Sequence, residues 1–376
     1  MENLYNNTVD IFKMGGLCKG FMNSQMNALF VISALVVVFM ISFALVEHQN
    51  VFAQDKVTMK EFPVKKGSLP HDVAPDPAKD GPVWFTSEFT GELGKLDPTT
   101  GNVDYIPLGK ECSGAGCSPS NSTSFPHGVI LDADGAPWVT DAGLHAMVRV
   151  DPKTEEVKVY PLPENITKKF KRSQLNTPTI DKDGMVWFTG RAGFYGKLNP
   201  ETEEYKIWLA PRGPGPYGIT TAPDGIVYFN SWTGNYTGRV DPKTDNLTIL
   251  EPPTKNQMVR RVWSDSQSNI WVSEWAEKNL AAYFPSNSSW KEWRVPGDTP
   301  VPYGVFVDEK DKVWLTDWNV ENGTQTLFRF DPTNEKFEAF PLPSDHSDIH
   351  QMNGRPGEVW AAEPGVDKIL LIRTGN

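Results

Sequence analysis

One phrase recurs seven times and decides what the chain can fold into. It has a Pro-aromatic or Pro-His start, a short apolar strand and an Asp/Gly turn, and it ends on Val-Trp-Phe-Thr followed by an acid. Its centres are Trp84, Trp138, Trp187, Tyr228, Trp271, Trp314 and Trp360, spaced 54, 49, 41, 43, 43 and 46 residues apart. A second signature follows most centres: Gly94-Lys95-Leu96-Asp97-Pro98, Val148-Arg149-Val150-Asp151-Pro152, Gly196-Lys197-Leu198-Asn199-Pro200, Gly238-Arg239-Val240-Asp241-Pro242 and Phe328-Arg329-Phe330-Asp331-Pro332. Proline presets the first central residue of a type I turn, so each Asp/Asn-Pro marks a strand end. A fourth strand follows each turn, at 103–108, 157–162, 205–209, 247–252, 290–296 and 337–342. Four short antiparallel strands per unit, repeated radially, predict an all-β, seven-bladed β-propeller over residues 55–376. No 3.6-residue period appears after residue 54, which excludes helical repeats.

The seventh unit lacks its fourth strand, because the sequence ends soon after Lys368–Ile372. Met59-Lys60-Glu61-Phe62-Pro63-Val64 matches the pattern of Phe337-Glu338-Ala339-Phe340-Pro341-Leu342. Residues 56–64 are therefore expected to supply the outer strand of the last blade, closing the ring and removing its open edges.

Residues 1–54 read differently. Ala28–Val46 is a 19-residue run without a charge, preceded by Lys13 and Lys19 and followed by Glu47 and Val51-Phe52-Ala53-Gln54. It reads as a secretion signal cut near residue 54, or as an uncleaved helix long enough to span a bilayer through residues 28–46. Either way the propeller is expected outside the cytoplasm, secreted or anchored. Six N-x-[ST] sequons, at Asn121, Asn165, Asn235, Asn246, Asn287 and Asn322, agree with that compartment. So does a disulfide between Cys112 and Cys117 across a glycine-containing loop; a metal-binding pair is the alternative, but no further cysteine follows to complete a zinc site. Net charge is −11, which argues against a nucleic-acid partner. A monomer is expected.

Antiparallel pairing puts the start of each first strand beside the end of the second, near the central channel. The first-strand starts read His71, His127, Pro178, Tyr217, Arg260, Tyr303 and His350; the second-strand ends read Ser87 (with Glu88 next), Asp141, Gly190, Ser231, Glu274, Asp317 and Glu363. Imidazoles and carboxylates at a channel mouth can bind a hard divalent cation or relay protons. The same groups can also serve only to hydrogen-bond strands locally in each blade. Trp232, Trp275 and Trp318, with Tyr217 and Tyr303, form either an aromatic wall over the channel or ordinary packing between blades.

The phrases Pro126-His127-Gly128-Val129, Asp134-Gly135, Trp187-Phe188-Thr189 and Gly238-Arg239-Val240-Asp241-Pro242 resemble the repeat of the virginiamycin B lyases, over about residues 56–376. The resemblance implies a seven-bladed propeller that opens a cyclic depsipeptide by metal-assisted elimination at its ester. By position it implies His350 as the proton acceptor, with Asp348 and Glu363 holding Mg²⁺ or Mn²⁺. A second histidine is expected three residues beyond that glutamate, where Val366 stands, and Tyr303 replaces a substrate-contacting histidine. The candidate substrate-binding residues are Tyr303, His71, His127, Arg260, Glu274, Asp317, Trp275 and Trp318. Two functions follow as expectations. One is a metal-dependent lyase acting on an ester, lactone or uronate-like small molecule. The other is a non-catalytic propeller that binds a glycan or an envelope protein through an acidic and aromatic mouth.

Overall fold

The computed structural model describes residues 57–111, 121–318 and 326–375. Residues 28–46, Cys112, Cys117 and Asn322 lie outside them. Among the described residues no helix is long and apolar enough to cross a membrane.

Seven four-stranded antiparallel sheets make up the fold. The first blade, with strands A to D from the axis outward, is Pro70–Pro75, Val83–Ser87, Glu92–Leu96 and Val103–Pro107. Every repeat centre falls in a strand B, as expected. Closure is also as expected: Thr58–Pro63 pairs antiparallel with Lys368–Arg373, with Thr58 opposite Arg373 and Pro63 opposite Lys368. The outer strand of the last blade thus comes from the opposite end of the propeller sequence. Two elements were not legible, a six-residue helix Glu164–Lys169 between blades two and three, with its Ile166 buried, and a single 3-10 turn at Pro364–Val366.

The core lies between blades. Trp84 packs with Val129, Val139 and Val148 of the next blade. Trp138 packs with Leu175, Val186 and Phe188. At the closing seam Trp360 packs with Val73, Val83 and Phe85. The six repeat-centre tryptophans are fully buried, so truncating any one would cost about 3–5 kcal/mol.

The rest of the phrase serves the same frame. Asp132, Asp181, Asp265 and Asp308 each hold the A–B turn through backbone N–H groups. Each also accepts the indole N–H of the tryptophan six residues on. The next-to-last residue of strand B reaches the following blade: Thr86 donates to His127 O at 2.8 Å, Ser273 to Tyr303 O at 2.6 Å, and Thr140 and Thr189 to Asn176 O and Tyr217 O.

Candidate functional site

Strand A enters from the channel mouth through an irregularity placed alike in six blades. After its first residue the A–B register shifts, between Pro70 and Val73, Pro126 and Gly128, Leu175 and Pro178, Pro216 and Ile219, Val259 and Val262, and Pro302 and Val305. A bulge re-aims the side chain beside it, and that side chain is His71, His127, Asn176, Tyr217, Arg260 or Tyr303. Asn176, not Pro178, is the third member: Leu175 pairs with Gly190 as Pro126 pairs with Asp141, so Pro178 lies two residues further along. In the seventh blade strand A begins at Met352, and His350 sits in the segment leading into it.

These residues meet. The His71 ring lies 4.0 Å from His127 and 4.9 Å from His350, centroid to centroid. His350 also packs on Tyr303 at 4.9 Å and Trp318 at 5.1 Å. The Tyr217 and Tyr303 hydroxyls hydrogen-bond each other. Arg260 stands among Trp232, Trp275, Tyr303 and Tyr217, its guanidinium carbon 4.2, 4.9, 5.2 and 5.4 Å from the ring centres. Burial holds His127 and His350 well below the usual imidazole range, and the neighbouring His71 and Arg261 side chains add to it. Both rings are therefore neutral at pH 7.

Arg261 crosses this space. From blade five its guanidinium donates to Asp72 Oδ1 of blade one at 3.0 Å, Thr177 Oγ1 of blade three at 2.8 Å and His350 O of blade seven at 3.0 Å. It is 3% exposed. Burial opposes its charge, and Asp72, Tyr217 and Tyr303 together more than offset that. Thr177, with a lone pair taken by Arg261, donates to Asn176 Oδ1 at 2.9 Å, and Asn176 Nδ2 lies 3.0 Å from His127 Nε2. That chain leaves the His127 proton on Nδ1, which is buried with no partner.

The acids at the strand-B ends turn to their own blades. Asp141 accepts the backbone N–H groups of Phe125, Gly143 and Leu144, each at 2.9 Å. Asp317 accepts Val301 N–H at 2.7 Å, and Glu274 accepts Asn279 Nδ2 at 3.0 Å. Burial pushes Glu274 up to about 8. The expected acidic mouth is thus corrected: these carboxylates are engaged in local structure, and arginines and imidazoles face the channel.

Among the described residues, Asp348, His350 and Glu363 do not form a group of three potential ligands with atoms all within 4.8 Å of one another. Glu363 is buried and its carboxyl is pushed up to about 7 by burial, with Ser347, Glu61 and Lys368 as its neighbours. His350 instead faces His71, Arg261 and Arg260. Asp348 lies on the entering loop with a positive φ of 57°. Among the described residues, the group of three potential ligands whose atoms all lie within 4.8 Å of one another is His71, Asp72 and His127. There too His71 Nδ1 already donates to Asp72 Oδ1 at 2.9 Å, Arg261 bonds the same oxygen, and His127 turns an N–H inward. A cation entering would have to break these bonds beside a guanidinium. Residues invisible to sequence reasoning were Asp72, Asn176, Thr177, Arg191 and Arg261; a doubled arginine at the strand-A start of one blade only was the available signal.

Of the sequons in described residues, Asn121, Asn165, Asn246 and Asn287 are exposed, whereas Asn235 is half-buried and accepts Met258 N–H at 3.0 Å.

Solved structures with the same architecture include virginiamycin B lyase from Staphylococcus aureus, at 18% identity and a TM-score of 0.73, covering 85% of this chain and 99% of that one. A streptogramin B lyase structure matches at 20% identity and a TM-score of 0.72, with the same coverage. The extracellular domain of a hybrid two-component system from B. thetaiotaomicron matches at 12% identity and a TM-score of 0.62, covering 84% of this chain and 40% of that one. A sequence profile of the virginiamycin B lyase family matches residues 54–320 and 117–376. Together these two matches span the whole propeller, and the chain belongs to the virginiamycin B lyase family.

Proposed function

We propose that this chain is an extracytoplasmic lyase whose channel mouth takes an ester- or lactone-bearing substrate, with His350 as the proton acceptor. The observation that carries the reading is the His350 ring, held neutral against His71, Tyr303 and Trp318 with its buried Nδ1 free of any partner. A neutral imidazole can take the proton from the carbon beside a carbonyl. The C–H electron pair becomes the new C=C bond, the C–O bond on the adjacent carbon breaks, and the oxygen leaves with its pair as a carboxylate. No water is consumed.

The test is ring opening of cyclic depsipeptides and β-acyloxy carbonyl compounds, followed by mass spectrometry. Elimination leaves the mass of an opened ring unchanged, whereas hydrolysis adds one water. His350→Ala is expected to lower the rate about 100-fold or more. Streptogramin-type rings are expected to open slowly, because Val366 stands where the family resemblance implies a second histidine. Turnover that survives His350→Ala, or no turnover on any member of the panel, overturns the reading. The second outcome favours a binding propeller, which the Val366 and Tyr303 replacements also favour. Peptide mapping of the native protein tests export, through a Cys112–Cys117 disulfide, modified sequons and the state of residues 28–46.

A further inference from the structure

Accepting the mouth as the ligand site, we propose that it is built for a carboxylate-bearing sugar of the uronate type, with Arg191 and Arg260 receiving the carboxylate. The chain carries a net charge of −11, yet three guanidinium groups converge here. Those of Arg191, Arg260 and Arg261 lie 5.9, 5.4 and 5.5 Å from the ring centre of Tyr217. Arg261 is committed to Asp72, Thr177 and His350 O. Arg191 and Arg260 make no ion pair or side-chain hydrogen bond with any described residue, and Arg260 Nε is buried without a partner.

The neighbouring unpartnered groups point the same way. His127, 6% exposed, has a buried Nδ1–H without an acceptor, and Trp275 and Trp318 each bury an indole N–H that has none. These groups are donors, which an acceptor-rich anion satisfies and a cation does not, while Asp72 Oδ2 and His350 Nδ1 are the buried acceptors left unpartnered beside them. Arg260 is held by its faces between aromatic rings, which leaves its edge to meet an oxygen pair; a planar fork matches a carboxylate bidentately. Trp318, half-buried beside His350, offers an apolar face for the C–H side of a sugar ring. Glu88, the nearby acid, is pushed up by burial against the opposing pull of His71 and Arg191, and it makes no salt bridge with either.

Calorimetric titration of the full-length chain with tri-galacturonate, galactotriose, acetate and sulfate tests this. Binding of tri-galacturonate with none of galactotriose is expected. Arg191→Gln and Arg260→Gln should each weaken it about 10-fold or more at unchanged melting temperature, and Arg260→Lys should restore only part. Equal binding of galactotriose, or affinity indifferent to both arginine variants, overturns the proposal. Acetate or sulfate binding as tightly as the trisaccharide overturns the sugar and leaves a general anion site. Because calorimetry reads binding alone, uronate binding with no turnover on the ester and lactone panel sinks the lyase reading only, whereas opening of neutral lactones without carboxylate binding sinks this one only.

Discussion

Two rings of residues meet at the channel mouth, and they behave oppositely. The strand-B ends carry acids in several blades, and Asp141, Asp317 and Glu274 bond to loops and strands of their own blades. The strand-A starts vary from blade to blade as histidine, asparagine, tyrosine or arginine, and they reach across the channel to one another. What repeats in every blade answers a need every blade has, namely closing a turn, seating a tryptophan or latching onto the next blade. What differs between blades cannot answer such a need, and here it lines the mouth.

Ring closure is the frame's greatest single dependence. Phe62 is buried against Trp360, ring centres 5.7 Å apart, and Glu61 pairs with Lys368. Deleting residues 57–64 would leave Lys368–Arg373 as an open edge strand. It is expected to abolish cooperative unfolding in urea, while Phe62→Ala alone costs about 3–5 kcal/mol. A deletion that keeps the native midpoint would show that the blade stands on three strands.

Arg261 is the strand-A-side residue with a structural duty, so it tests the division from the other direction. Arg261→Leu leaves Asp72 buried without its charge partner, and a loss of about 3–5 kcal/mol in chemical unfolding is expected. Arg261→Leu combined with Asp72→Asn should recover part of it. A single-variant loss under about 1 kcal/mol would show that blades one, three, five and seven are not tied through this side chain.

The sequence displayed the frame because its signals are local. Asp-Pro turns, Trp-Phe-Thr centres and the missing fourth strand each lie within a few residues, and the strands fall within one or two residues of the expected bounds. The site was legible only as a ring. His71, His127, Tyr303 and His350 follow from the repeat, but blade three carries Leu175-Asn176 where others carry Pro-His or Pro-Tyr, and the phrase falls on Pro178 instead. The partners of Arg261 lie 84, 89 and 189 residues away, a separation no spacing argument reaches. The direction of the strand-B acids was also hidden, since a residue at a strand end can turn to the channel or back into its blade.

Glu274 and Glu363 show how far those acids belong to the frame. Both have folded pKa values raised by burial, to about 8 and about 7 from the usual 4.5. The folded state therefore holds their protons to higher pH than the unfolded chain does. The resulting stability is fully present below pH 4.5 and is lost as pH rises through about 7 and 8. Glu274→Gln is expected to stabilise the protein by about 2 kcal/mol at pH 8 and to make no difference at pH 4.5. Equal effects at both pH values would place the carboxyl in a solvated setting. Glu363→Gln also tests the metal expectation. With Asp348, His350 and Glu363 apart, Mg²⁺ or Mn²⁺ should leave the melting temperature of both proteins unchanged. A rise in the native protein that the variant lacks would restore the three as one ligand set.

The smallest effect concerns the latch between blades. The hydroxyl or amide before the strand-B end bonds a carbonyl of the next blade's strand A, or at the sixth seam of the segment leading into it, through Thr86, Thr140, Thr189, Asn230, Ser273 and Thr316. At the seventh seam the position is Ala362, and Gln351 Oε1 instead accepts Val73 N–H at 2.9 Å. Thr140 also accepts Gly128 N–H within its own blade, so Thr140→Val orphans a buried donor and a buried acceptor together and should cost about 1–2 kcal/mol. Thr140→Ser should cost less, because the hydroxyl remains. Ala362→Ser places a hydroxyl where the last blade meets the first, and it should change stability by no more than about 0.5 kcal/mol, since the outer strand from Thr58–Pro63 and the Gln351 bond already hold that seam. If Thr140→Val proves silent while Ala362→Ser stabilises strongly, the recurring threonine is not part of the frame, and repetition along the chain no longer separates scaffold from site.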